Sequence, residues 1–151
     1  MLKKFFMVIG ALAVIGIIAA VGISYYVNGK IDTAIKEREP EFRQYVTMTV
    51  EEQNAYVEKT LGNLTAYFIN FGNDETNSDE IIAEIKKNPE LFDATITYGR
   101  AVVAGFILND ENITKDLNAE VLKQLKAEYY ELKARQNKFH ELADQVKSET
   151  K

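Results

Sequence analysis

The chain has 151 residues with 18 Lys and Arg against 23 Asp and Glu, one histidine and no cysteine. Disulfides, thiolate metal sites and cysteine nucleophiles are thereby excluded, and a zinc site built on histidines has too few of them. The acidic balance argues against nucleic acid, whose phosphates need a basic face.

From Phe5 to Val27 the chain carries no charge. Twenty-three residues at about 1.5 Å each make roughly 35 Å of helix, enough for a hydrocarbon core of about 30 Å. Phe5 and Phe6 mark one end and Tyr25 and Tyr26 the other, as interfacial aromatics do. A cleaved leader has a shorter apolar region and no need of a second aromatic belt. Residues 1–27 therefore read as a retained membrane anchor, with cleavage near Ala20-Val21-Gly22 and secretion as the alternative. Lys3 and Lys4 precede the run, as at the start of an exported chain. The expected topology is single-pass, N-terminus in the cytoplasm and the long C-terminal part outside. Gly16, Ala20 and Ser24 fall four apart on one helical stripe, where small residues let two anchors pair.

Without residues 1–27, 124 residues remain, with 16 basic against 23 acidic side chains, a net −7. That is one domain's worth of chain. The same balance argues against lying flat on anionic lipid. Residues 28–40 read as a charged helical stalk that Pro40 ends or kinks, and residues 41–151 as the folded domain.

In the domain, Val46, Val50, Gln53, Val57, Thr60, Leu64, Tyr67 and Phe71 step alternately by four and three. This seam predicts a helix of about 30 residues over 41–71, with Gly62 on its outer face and Gly72 as its cap. Asn77 and Glu80 pair as caps of a short helix through Asn88, and Asn88-Pro89-Glu90 opens another. Residues 91–108 fit a helix through Phe92, Ile96, Gly99, Val103 and Phe106. Their β-branched density and central Gly99-Arg100 also suit a β-hairpin. Asp93 and Arg100 weigh against a second membrane span. After a turn at 109–116, Leu122, Leu125, Tyr129, Leu132, Gln136, Phe139, Ala143 and Val146 form a second seam over 117–147. The fold class expected is all-α: one N-terminal transmembrane helix, then an antiparallel bundle of about four helices whose two long seams face each other. Aromatic and Gln seam positions disfavour an intermolecular coiled coil.

Catalytic material is scarce. The three serines are Ser24, Ser78 and Ser148, and His140 stands alone beside a seam. No serine triad has its parts. Asn73, Glu75, Asn77 and Glu84 match calcium-loop spacing, but Ser78 stands where that loop needs glycine. The acid pairs Glu51-Glu52 and Asp110-Glu111 are sequence neighbours and do not share a helix face. Asn63-Leu64-Thr65 and Asn112-Ile113-Thr114 have the glycosylation pattern. No cofactor and no enzymatic activity is expected. The reading is a membrane-anchored interaction or scaffold protein whose partners are the lipid bilayer and a second protein or another copy of itself. The alternative is a sensing domain with a small-molecule pocket inside the bundle, lined by Tyr56, Tyr67, Tyr98, Tyr129 and Tyr130 and signalling through a partner.

Overall fold

The computed structural model describes residues 37–69 and 78–149, with the side chains of 64–69, 78 and 147 left out. The anchor, its Gly16, Ala20 and Ser24 stripe, most of the stalk, Phe71, Gly72 and the loop at 73–77 lie outside the described residues, as do the side chains of Leu64 and Tyr67.

The described residues are all-helical. Seven helices follow one another: α1 Glu39–Tyr45, α2 Val50–Ile69, α3 Ser78–Lys86, α4 Pro89–Asn109, α5 Glu111–Thr114, α6 Ala119–Tyr130 and α7 Leu132–Glu149. The expected four become seven because each long helix is broken once and the turn at 109–116 contains a short helix of its own. The hairpin alternative for 91–108 is set aside. The Asn88 side chain accepts from the Leu91 N–H, Pro89 fills the first turn, and the helix runs unbroken past Gly99.

The break in the first long helix falls at Val46–Thr49 and has a local cause. Thr49 Oγ1 accepts from the Glu52 N–H at 3.2 Å, while Glu52 accepts from the Thr49 N–H at 2.9 Å. This reciprocal capping box starts a new helix inside the heptad run. It also leaves Val50, a seam position, 63 % exposed. The second long helix breaks at the single residue Glu131, and its first half starts under the Asn118 cap.

The centre of the domain is α4. The helices α2, α3, α6 and α7 all pack on it, α7 and α6 most extensively. The two seams thus meet chiefly through α4 rather than along a shared face, contrary to the expected direct pairing. The reason lies in composition. Leu91, Ala94, Ile96, Tyr98, Ala101, Ala104 and Ile107 leave α4 with little polar surface to give to water. One core cluster joins Ile81, Ile85, Leu91, Tyr98, Phe139 and Leu142; the other joins Phe42, Tyr45, Val57, Ile107, Ile113 and Leu125. Each fully buried aliphatic side chain contributes about 1.5–3 kcal/mol. By length and composition α4 is also long and apolar enough to cross a membrane, yet more than half of its most apolar stretch is buried by the other helices.

Gly62 is buried, not outward-facing. Helix α2 packs against both α3 and α4, so more than one stripe of it is covered. The crossing of α2 and α4 is close. A Cβ on Gly99 would stand 2.6 Å from Val57 Cγ1 and 3.1 Å from Leu61 Cδ1. A Cβ on Gly105 would meet only the Tyr129 ring, at 3.0 and 3.1 Å. Val57 is buried and, being β-branched, stiff at χ1, whereas Tyr129 is part-exposed. Gly99→Ala is therefore expected to destabilise by about 1–2 kcal/mol, overpacking outweighing the gain in helix propensity. Gly105→Ala is expected to be close to neutral. Melting the two variants side by side checks this, and the reverse order would refute the packing.

Candidate functional site

The most polar point inside the domain is Arg100. Its face of α4 also carries Ile96 and Ala104, so its side chain must enter the core, and it is only 10 % exposed. Its four hydrogen bonds all end on protein oxygens. Nη1 donates to Asn54 Oδ1 at 2.8 Å and to the Val50 carbonyl at 3.3 Å. Nη2 donates to Gln53 Oε1 and to Glu128 Oε1, both at 2.8 Å. One guanidinium thus ties the first turns of α2 to α4 and α6, and its planar fork suits such divergent acceptors. Gln53 extends the network, donating through Nε2 to the Tyr45 carbonyl at 3.0 Å.

The Tyr45 ring lies beside this network and packs on Tyr56 at 5.5 Å between centroids. Its hydroxyl is buried without a hydrogen-bond partner. Burial pushes its pKa up to about 12, against the pull of Arg100 and with a further push from Glu128. Tyr98 resembles it in the other cluster: its hydroxyl is buried and unpartnered, and burial alone pushes it up to about 12. Tyr56 is raised as well, first by burial and then by donating to Glu41 Oε2 at 3.0 Å.

These shifts have a stability consequence. A tyrosine that titrates near 10 in the unfolded chain and near 12 in the folded one holds its proton longer when folded. The contribution of Tyr45 and Tyr98 is complete below pH 10 and is lost as pH rises through 12. Alkaline unfolding is expected in that window, with tyrosinate absorbance and helix loss coinciding. The Tyr45→Phe, Tyr98→Phe double variant should hold its structure to higher pH, and at neutral pH it should be no less stable, since each hydroxyl removed had no partner. An unchanged alkaline midpoint would contradict the burial of these two groups.

The five tyrosines singled out in the sequence do not all come together. Tyr98 packs on Phe139 in the first cluster, at 5.7 Å. Tyr56 and Tyr129 pack against the second cluster. Tyr130 touches Tyr129 but is 77 % exposed, and the side chain of Tyr67 lies outside the described residues. His140 is exposed, its ring edge-on to Phe139 at 5.5 Å. Among the described residues no group of three or more His, Asp or Glu side chains is placed to hold a metal.

Sequence reasoning passed over Arg100, Asn54 and Glu128 as a unit. The available signal was Gln53, an amide on an apolar seam, where a buried partner is required. Arg43 on α1 makes a second, exposed tie. Nη1 meets Asp116 Oδ2 and Nη2 the Asn112 carbonyl, both at 2.8 Å, and this joins α1 to the α5 turn. With four of its five N–H donors taken by acceptors of the fold, Arg100 orients helices rather than presenting its fork to a substrate anion. Compared with protein families, with curated proteins and with solved structures, the chain matches none.

Proposed function

We propose that this chain is a single-pass membrane protein: residues 1–27 form the anchor, residues 28–40 a short stalk, and residues 41–151 an antiparallel helical domain outside the cytoplasm that serves as an interaction or scaffold module. The observation that carries the reading is the charge-free run Phe5–Val27 with aromatic residues at both ends. The all-helical domain supports it, with two core clusters and an arginine network devoted to holding helices together. The membrane-compatible length of α4 is accounted for differently. Arg100 at its centre and Asp93 would each cost about 2.5–3.5 kcal/mol near mid-bilayer, whereas in the domain Arg100 has four acceptors. A sensing function would draw on the tyrosines, and their division between two clusters and the solvent gives it less support.

Carbonate extraction of cell membranes, followed by intact mass and N-terminal sequencing, tests the anchor. The expected result is a chain that stays with the membrane and retains Phe5–Val27. A soluble chain beginning near Ile23 or Tyr25 would overturn the reading.

A further inference from the structure

We infer that the outward face of α6 and the start of α7 lies on an anionic membrane surface. The inference rests on the anchored reading above, and its starting point is a local charge that the acidic total conceals. Ala119, Lys123, Lys126, Ala127, Tyr130, Lys133, Ala134 and Asn137 share the helical sector opposite Leu125 and Phe139, and all are exposed. The part of the sector on α6 and the part on α7 meet at the one-residue break, Glu131. Between Ala119 and Asn137 it contains three lysines and no acid. Glu120 and Glu131 lie on its flank, Glu131 held by Arg135 at 2.9 Å. Beyond it, Glu141 and Asp144 close the acid-free stretch. No described residue forms an ion pair with Lys123, Lys126 or Lys133, nor with Lys59, Lys115 or Lys138, whereas Lys86, Lys87, Arg43, Arg100 and Arg135 are paired.

The shape selects the occupant. Lys123 and Lys133 are separated by about 15 Å of helical rise, one on either side of the break at Glu131. A convex ridge with spread cations suits a flat array of negative charge better than a single small anion. Tyr130, 77 % exposed at the middle of the ridge, has the amphipathic ring that favours the headgroup level, and lysine stems reach there while keeping their charge in water. The tether is short. Asn28 to Arg38 is 11 residues, about 40 Å at full extension, so an anchored domain cannot leave the vicinity of the bilayer. Confinement raises the effective concentration of headgroups at this face. The net −7 charge of the domain is then directed away from the lipid, with the lysine ridge turned toward it.

The chain has no cysteine, so Ala127→Cys provides one labelling site on the ridge without touching Tyr130 or a lysine. The full chain, labelled there with an environment-sensitive dye, is floated with vesicles of phosphatidylcholine alone and with an equal mixture of phosphatidylcholine and phosphatidylglycerol. The expected result is flotation with both, and a blue shift of the dye with the anionic vesicles alone. That shift should disappear in the Lys123→Gln, Lys126→Gln, Lys133→Gln variant and at about 1 M salt, where screening is nearly complete. Flotation with both and no shift with anionic lipid overturns the inference and leaves the anchor standing, and an equal shift in both lipids overturns it as well. A dye silent toward lipid but responsive to soluble polyglutamate reassigns the ridge to an acidic protein and also overturns it. Failure to float with neutral vesicles overturns the anchor; the lysine ridge is then supported if anionic vesicles still float the chain and overturned if they do not.

Discussion

Arg100→Ala is expected to lower the unfolding free energy by about 3–5 kcal/mol, because it strands a partly buried carboxylate and two amide side chains at once. For a domain of this size the melting temperature should fall by roughly 10–20 °C. The informative comparison removes both charges. Arg100→Met with Glu128→Met replaces the pair by apolar volume, and this variant should recover most of the loss, since breaking a buried pair costs far more than omitting it. A double-mutant cycle on Arg100 and Glu128, read by circular dichroism of the full chain in detergent, isolates the coupling. If Arg100→Ala melts with the parent, the guanidinium is not held as described and the three-helix tie fails with it.

The second large effect is expected at Phe139. Its ring is buried between α7 and α4, stacked on Tyr98 at 5.7 Å and joined to Ile81, Ile85, Leu91 and Leu142. Phe139→Ala opens a cavity where the C-terminal helix docks and should cost about 3–5 kcal/mol. The next residue, His140, is exposed, and His140→Ala should stay within about 0.5 kcal/mol of the parent. Urea unfolding of the pair tests which face of α7 is inward, and the denaturant slope should be shared by both. Equal stability of the two variants would mean that α7 is rotated from the face described.

Much of the architecture was legible because its causes are local. Asn88-Pro89 specifies the start of α4 by a side-chain cap and a fixed φ, and that decides between helix and hairpin at 91–108. The seam from Leu125 to Ala143 is legible in part: Leu125, Phe139 and Ala143 are buried, while Tyr129, Leu132 and Gln136 are half-buried. The parts that were not legible depend on who the neighbour is. Periodicity identifies an apolar face without saying what covers it. Two matching seams suggested each other, whereas α4 accepts both. The capping box Thr49–Glu52 was present in the sequence, but the seam runs through it and masked the break. Gly62 was misplaced because one stripe was counted where two helices press on α2. Arg100 was visible as a charge unsuited to lipid. That it would be buried and satisfied required Asn54 and Glu128, residues 46 and 28 positions away, to arrive beside it.

The central position of α4 has a consequence for the birth of the protein. The chain is synthesised from its N-terminus, so α1 and α2 exist before the helix that covers them. About 60 residues separate the start of α2 from the end of α4. At about 5–20 residues per second that is roughly 3–12 s during which Val57 and Leu61 lack the helix that covers them. Pairing of α3 with α2 shields part of that surface in the interval. Then α4 arrives with its own apolar faces still uncovered, and only α6 and α7, the last helices made, complete its burial. A nascent chain truncated after Asn109 would therefore display the most apolar helix of the domain, and that is the length at which a holding chaperone has the most to bind.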